Sequence, residues 1–299
     1  MRHHKYNPDF EFIVKPEEFS KYSDKDILQY CLGATMYMPG TKDFSQKILN
    51  HEMPGLTSMV FCFEDACPEG QVEEAEKNVI HVLDVLSAAL DNGELTYEDL
   101  PLIFCRVRSQ EQFIRFAEQL TKHHVKALTG INFPKFNAHN GNVYMFYLKH
   151  LNEKFGEILY GMPIIEDPEA AFKDTRMTEL ISIKEILDKY KDIVLQVRVG
   201  ATDFSSYFGV RRGVDYSIYD ILTVREILSD IINVFGRNND YVISGPVWEY
   251  FRTSKNMMFD ELPSYDIEDC LLKRIPIVNT EIDGLLREVI LDKANGFVG

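Results

Sequence analysis

Seven short apolar segments recur along the chain, separated by stretches whose apolar residues fall at helical spacing. The predicted strands span residues 33–39, 57–65, 100–108, 127–135, 157–166, 192–200 and 240–248. Helical spacing is clearest over residues 71–90 and 111–124. Apolar strands that alternate with helices are typical of a parallel sheet covered on both faces. The pattern predicts an α/β fold. A TIM (β/α)8-type barrel is favoured over an open doubly wound sheet, because no Gly-rich phosphate loop follows the first strand.

The strand–helix series predicts one barrel domain, residues 31–299, preceded by an N-terminal extension or short capping helix, residues 1–30. No Pro-, Gly- or Ser-rich linker divides the series. Residues 274–280 form the one spare apolar run, and Pro276 makes it a poor eighth strand. The sequence therefore predicts a barrel without its last strand and C-terminal lid. We expect either a partly open barrel or a gap filled by another chain, with strand edges that favour a homo-oligomer.

Composition excludes several classes of partner and location. The formal net charge is −15, from 47 acidic and 32 basic residues, which argues against nucleic acid as a partner. No apolar run reaches the roughly 18–20 residues of a membrane span, and the N-terminus lacks a signal-peptide core. The five cysteines form no CxxC, so a reducing cytoplasmic location is expected, with Cys62 and Cys105 as small buried apolar residues.

Two predicted strands lead into carboxylates. Glu166 ends the fifth apolar segment, and Asp203 follows the sixth. Carboxylates at the C-terminal ends of barrel strands are typical of a metal site, and one or two of them suit Mg²⁺, with Mn²⁺ as the alternative. The structural alternative is that Glu166 caps the following helix and Asp203 lies in a turn.

Basic residues end the third predicted strand. An unpaired Arg106 guanidinium would be costly there, so we expect a fixed anionic partner. That partner is either a substrate carboxylate or a structural salt bridge to Glu64 or Asp65. Arg108, two residues on, is predicted to lie on the same face and to add a second positive charge for a dicarboxylate or phosphorylated substrate.

Seven segments in the same order resemble a known superfamily. They are MYMPGTKD (36–43), FEDACPEGQVEEAEKNV (63–79), CRVR (105–108), INFPKF (131–136), IIEDPEA (164–170), GATDFSSYFG (200–209) and the C-terminal stretch 281–299. Together they resemble the HpcH/HpaI aldolase and citrate lyase β subunit superfamily. The resemblance covers roughly residues 31–299. It is greatest to the "C–C bond lyase of the TIM-barrel fold" group associated with tellurium-resistance and stress gene clusters.

The resemblance implies roles for the acidic and basic residues. Glu166 and Asp203 would be the metal ligands, and Arg106 the substrate-binding arginine. Glu64 and Asp65 would be part of the catalytic centre, holding metal-bound waters and orienting Arg106. The competing interpretation makes Glu64 and Asp65 helix N-terminal charges.

Lys135, also in a matching segment, is predicted to contact substrate or a neighbouring carboxylate, with a Schiff-base nucleophile as the alternative. The implied function is a Mg²⁺-dependent carbon–carbon lyase or aldolase acting on a small anionic 2-oxo or hydroxy acid, phosphorylated or carried as a CoA thioester. Gly33 or Ala34 stands where the family commonly has Arg, which argues against the thioester. The alternatives are thioester hydrolysis or condensation, and a non-catalytic metal-, metabolite- or partner-binding barrel in a stress-response system.

Overall fold

The computed structural model describes residues 11–13, 16–53, 55–212, 216–246 and 290–298, and strands alternate with helices along them. The strands are β1 Met36–Pro39, β2 Ser58–Cys62, β3 Leu102–Arg106, β4 Leu128–Phe133, β5 Tyr160–Ile165, β6 Val197–Val199, β7 Ile243–Ser244 and β8 Phe297–Val298. The α-helices are α1 Lys25–Leu28, α2 Ser45–Leu49, α3 Val72–Asn92, α4 Gln110–Gln119, α5 Gly141–Phe155, α6 Pro168–Ala171, α7 Arg176–Asp188, α8 Ala201–Tyr207 and α9 Leu222–Phe235. None of these helices is long and apolar enough to cross a membrane.

The chain divides into two compact units. The first comprises Met1–Ile165 and Thr178–Arg198, and the second comprises Glu166–Met177 and Val199–Gly299. The single barrel domain expected over residues 31–299 stays a prediction.

In the first unit, β1 to β4 each pair in parallel with the next strand along the chain. Every residue of β2, β4 and β5 is buried. Such strands are apolar on both faces because one face lines the interior and the other packs against helices. Parallel strands in chain order, joined by helices, confirm the α/β barrel-type prediction. Cys62 and Cys105 are buried in β2 and β3 as expected.

The interior of the first unit is filled partly by the N-terminal segment. The buried cluster contains Phe19, Leu28, Leu32, Val60, Leu102, Phe104, Tyr160, Met162 and Leu195, and Tyr37 packs against it. Lys21 anchors the segment, since its Nζ donates to Val125 O at 2.6 Å and Leu128 O at 2.9 Å. Phe19 and Leu28 of the predicted extension therefore belong to the core, and α1 is its short helix.

The second unit contains the strand pair β7 and β8. They run parallel, with Ile243 opposite Phe297 and Ser244 opposite Val298. The sequence predicted no eighth strand, so β8 corrects the count. Two residues after Gly296 (φ 90°) are too few to show an alternating apolar pattern. Residues 247–248 of the predicted seventh strand, and the run 274–280, lie outside the described residues.

Candidate functional site

An interior row of side chains crosses β2 to β5 in the first unit, and it includes the last residues of β2 and β3. The register pairs Cys62 with Arg106, Arg106 with Asn132, and Asn132 with Met162. Residues paired in register on parallel strands face the same side of the sheet. Asn132 Nδ2 donates to Tyr37 Oη at 2.8 Å, which ties the row to β1.

Arg106 lies at the centre of this row and is held by its neighbours. Its Nε donates to Cys62 Sγ at 3.2 Å, and its Nη2 lies 3.2 Å from both Glu64 Oε2 and Asp65 Oδ2. Burial lowers the pKa of the Arg106 guanidinium, but Cys62 and Glu64 raise it by more, so its pKa lies above the ordinary value. Arg106 therefore remains a cation. The structural salt bridge that the sequence offered as an alternative is present, and it involves both Glu64 and Asp65.

Glu64 joins Arg106 to Lys135. Its side chain is buried, and Lys135 Nζ lies 2.5 Å from its Oε1. Its Oε2 makes no well-directed hydrogen bond, so the contact with Arg106 is chiefly electrostatic. Lys135 thus contacts a neighbouring carboxylate, one of the predicted options. A Schiff base would need this amine free to attack a carbonyl, whereas here it is engaged by Glu64.

The helix-terminus interpretation of Glu64 and Asp65 does not fit their position. Helix α3 begins at Val72, and its first turn carries Glu73 and Glu74 instead. Asp65 is 63% exposed, whereas the side chain of Glu64 is 9% exposed. The two carboxylates therefore differ: Glu64 is a fixed interior group, and Asp65 is accessible to solvent.

Arg108 does not join the interior row. Strand β3 ends at Arg106, and the Arg108 guanidinium donates from Nε to Phe63 O at 3.1 Å and from Nη2 to Cys67 O at 2.9 Å. Its donors are used to hold the loop that carries Glu64 and Asp65. Strand β3 ends at Arg106, so the alternation of faces along a strand does not extend to Arg108, and its predicted place on the Arg106 face stays a prediction.

In the second unit, Glu166 lies against the start of α8. It follows β5 directly and is 3% exposed. A Cβ placed on Gly200 would lie 2.2 Å from Glu166 Oε2, so only glycine leaves room for this carboxylate. Gly200 is the N-cap of α8, and Asp203 lies in the first turn of that helix. The structure thus brings Glu166 to the helix that carries Asp203.

Capping of the neighbouring helix falls to a different residue. Asp167 Oδ1 accepts from Glu169 N at 3.1 Å and caps α6. Glu166 is therefore not the helix cap proposed as its structural alternative, and Asp203 lies in a helix rather than a turn.

The donor set in the second unit fits a hard divalent cation. Two carboxylates are what Mg²⁺ usually takes from a protein, with the other octahedral positions left to water and substrate oxygens. Among the described residues no group of three or more His, Cys, Asp or Glu side chains is arranged to hold a metal ion. Glu166 and Asp203 are the residues that could hold Mg²⁺.

Several residues of these regions were not predicted from the sequence. They are Tyr37, Cys62, Asn132, Arg198 and Gly200. Asn132 and Arg198 could have been identified from the sequence, because a polar residue within an apolar strand needs a hydrogen-bond or charged partner. Gly200 could also have been identified, because a glycine between a strand and a helix that bears an acidic residue indicates close approach of another group.

Comparison with known proteins agrees with the fold. The family model described as "C-C_Bond_Lyase of the TIM-Barrel fold" matches residues 26–299. The citrate lyase beta subunit from M. tuberculosis, solved with oxaloacetate and magnesium, superposes with a TM-score of 0.52 at 14% identity, covering 90% of each chain. The Haloferax volcanii malate synthase magnesium/glyoxylate complex gives 0.52 at 12% identity, covering 91% of this chain and 72% of that one.

These structural likenesses, at such low identity, show the fold alone. Comparison with curated protein sequences gives no match. The family model spans nearly the whole chain and agrees with the resemblance of the seven segments. The chain therefore belongs to the family of C–C bond lyases of the TIM-barrel fold.

Proposed function

We propose that the protein is a Mg²⁺-dependent carbon–carbon lyase or aldolase that acts on a small anionic 2-oxo or hydroxy acid. The observation that carries this proposal is the seating of the buried Glu166 carboxylate against Gly200, at the start of the helix that bears Asp203. Family membership supports the reaction class. The M. tuberculosis relative, described with oxaloacetate and magnesium, supports the metal and the type of substrate.

Glu166 and Asp203 would hold the cation, with Mn²⁺ as the alternative ion. When bound, Mg²⁺ supplies Lewis-acid stabilisation of the enolate that forms as a bond beside a carbonyl breaks. The absence of a side chain at Gly200 leaves room for the Glu166 carboxylate beside the helix whose first turn carries Asp203.

Arg106 would bind the substrate carboxylate. Its partner Asp65 is exposed, and Arg106 is the one ion-pair partner of Asp65 among the described residues, so a substrate carboxylate can take its position on Nη2. Glu64 stays in place because Lys135 also holds it. Lys135 contributes a second positive charge at the end of β4.

The test is a turnover assay with matched variants. Purified protein is incubated with oxaloacetate and a panel of 2-oxo and hydroxy acids, with Mg²⁺ or with EDTA, and products are followed by NMR. We expect Mg²⁺-dependent cleavage that Glu166→Gln and Asp203→Asn abolish. Asp188→Asn, an acid paired with Lys184 on α7, is the control and should retain activity.

Two outcomes would contradict the proposal. Cleavage that survives EDTA and both substitutions would exclude these ligands. A panel member that raises Tm with Mg²⁺ while the full panel yields no product would favour the non-catalytic metabolite-binding alternative.

A further inference from the structure

Arg198, on β6 of the first unit, is a cation without an acidic partner in the part of the chain that the structure describes. Its side chain is half-buried. Its contacts are Met162 Sδ, 4.0 Å from Nη1, and the Tyr37 ring, whose centroid lies 5.7 Å from Cζ. Partial burial of an unpaired guanidinium costs free energy, since water is lost without a compensating charge.

The Tyr37 ring also contacts a second guanidinium. Its centroid lies 5.3 Å from Cζ of Arg106. Two cations therefore share one aromatic ring, which attracts each of them through its quadrupole. Repulsion between like charges remains, and an anion near both would relieve it. Glu64 and Asp65 each pair with Arg106, and neither forms an ion pair with Arg198.

Asn132 supplies an independent observation beside Tyr37. Its side chain is fully buried, and Nδ2 bonds to Tyr37 Oη. Its Oδ1 has no hydrogen-bond partner. If the two amide atoms are exchanged, Tyr37 Oη donates to Oδ1 and Nδ2 becomes the buried donor without a partner. That orientation is the one that offers a donor to an anion.

We propose that Arg198, Tyr37 and Asn132 form, beside Arg106, a subsite for a second anionic group of the ligand, so that the protein selects dianionic acids over monocarboxylates. The second positive charge that the sequence assigned to Arg108 is thus supplied by Arg198. The second group is a carboxylate or a phosphate, both of which a guanidinium binds through paired N–H donors. As a statement about substrate it rests on the proposed function.

Calorimetric titration of the full chain tests the subsite without catalysis. The probes are glycolate (one carboxylate), malonate (two carboxylates) and 2-phosphoglycolate (carboxylate and phosphate), each with EDTA and again with Mg²⁺. The proteins are wild type, Arg198→Gln, Arg198→Lys and, as control, Arg225→Gln on the exposed face of α9. Melting curves verify that each variant is folded.

We expect wild type to prefer a dianionic probe to glycolate. Arg198→Gln should weaken dianion binding by a factor of about 10 to 100 and glycolate binding by less than about twofold. Arg198→Lys keeps the positive charge, so it should bind the dianions more tightly than Arg198→Gln does. It should bind them less tightly than wild type, because lysine cannot make a bidentate contact. The probe whose affinity falls more in Arg198→Gln, malonate or 2-phosphoglycolate, identifies the second group as a carboxylate or a phosphate.

Three results would overturn the subsite: equal losses for glycolate and the dianions, no loss in Arg198→Gln, or no dianion preference in wild type. None of these bears on cleavage, which the EDTA-controlled product assay decides separately. Conversely, selective dianion binding with EDTA present would stand even if no product were found.

Discussion

Gly200 shows how one missing side chain can define a carboxylate's position. Its φ of −96° is open to any residue, so glycine is required there for space and not for backbone conformation. The Glu166 carboxylate occupies the volume that a methyl group would fill.

Gly200→Ala should therefore displace Glu166. We expect Mg²⁺ affinity, measured by calorimetry, to fall by about tenfold or more, because the cation tolerates little departure from octahedral geometry. Gly70→Ala is the matched control, since a Cβ at Gly70 would meet no atom within 4 Å. Unchanged Mg²⁺ binding in Gly200→Ala would exclude Glu166 as a ligand.

Substitutions of Arg106 and Arg108 should have opposite effects, although the two residues are only two positions apart. Arg106→Ala should weaken malonate binding while costing little stability, because Lys135 still holds the buried Glu64. Arg108→Ala should lower the free energy of unfolding by about 1–3 kcal/mol, because buried loop carbonyls lose their donors. Urea unfolding and calorimetry measure both variants, each serving as the other's control. A large stability loss in Arg106→Ala would assign it a structural role instead.

At the scale of elements, the segment before β1 acts as part of the core. Leu28 of α1 is fully buried in the interior cluster, while its neighbour Ile27 is 58% exposed. Leu28→Ala should lower the free energy of unfolding by about 2–5 kcal/mol, as for other buried leucines. Ile27→Ala should change it by less than about 0.5 kcal/mol. Similar values for the two would mean that the segment does not pack as described.

Lys21, in the same segment, makes a pH-dependent contribution. Burial, opposed by Glu157, lowers its pKa from 10.5 to about 8. Between these two values the unfolded chain binds more protons than the folded chain, so stability should rise with pH through this group. Relative to Lys21→Gln, wild type should gain stability between pH 8 and pH 10.5 in urea titrations. Parallel pH profiles for the two proteins would contradict a buried, easily neutralised amine.

At the scale of the whole molecule, the net charge of −15 opposes compaction. Screening weakens this repulsion, so raising ionic strength from about 0.01 M to about 0.15 M should raise Tm. NaCl is the test salt, and tetramethylammonium chloride at equal ionic strength is the control for specific Na⁺ binding. A Tm that falls with both salts would mean that attractive surface ion pairs outweigh the repulsion.

The fold was more predictable than the candidate sites. Strand type and order followed from apolar segments such as those of β2 and β5, since burial on both faces leaves a continuous pattern. The pairing of Glu64 with Arg106 was proposed from the sequence, because a cation at a buried strand end needs an anion. The roles of Arg108 and Arg198 were not predicted. They depend on where β3 ends and on which strands face one another across the interior, and neither is encoded in local spacing. Strand β8 was missed because two residues carry no period.

The hold of Arg108 on the loop after β2 also affects binding thermodynamics. Its bonds to Phe63 O and Cys67 O tie to β3 the loop that carries Glu64 and Asp65. The backbone of this loop therefore has little conformational freedom left to lose when a ligand arrives. Ligand binding should therefore lose little entropy through ordering of the loop. The association rate should be limited by diffusion and electrostatic attraction, not by closure of the loop.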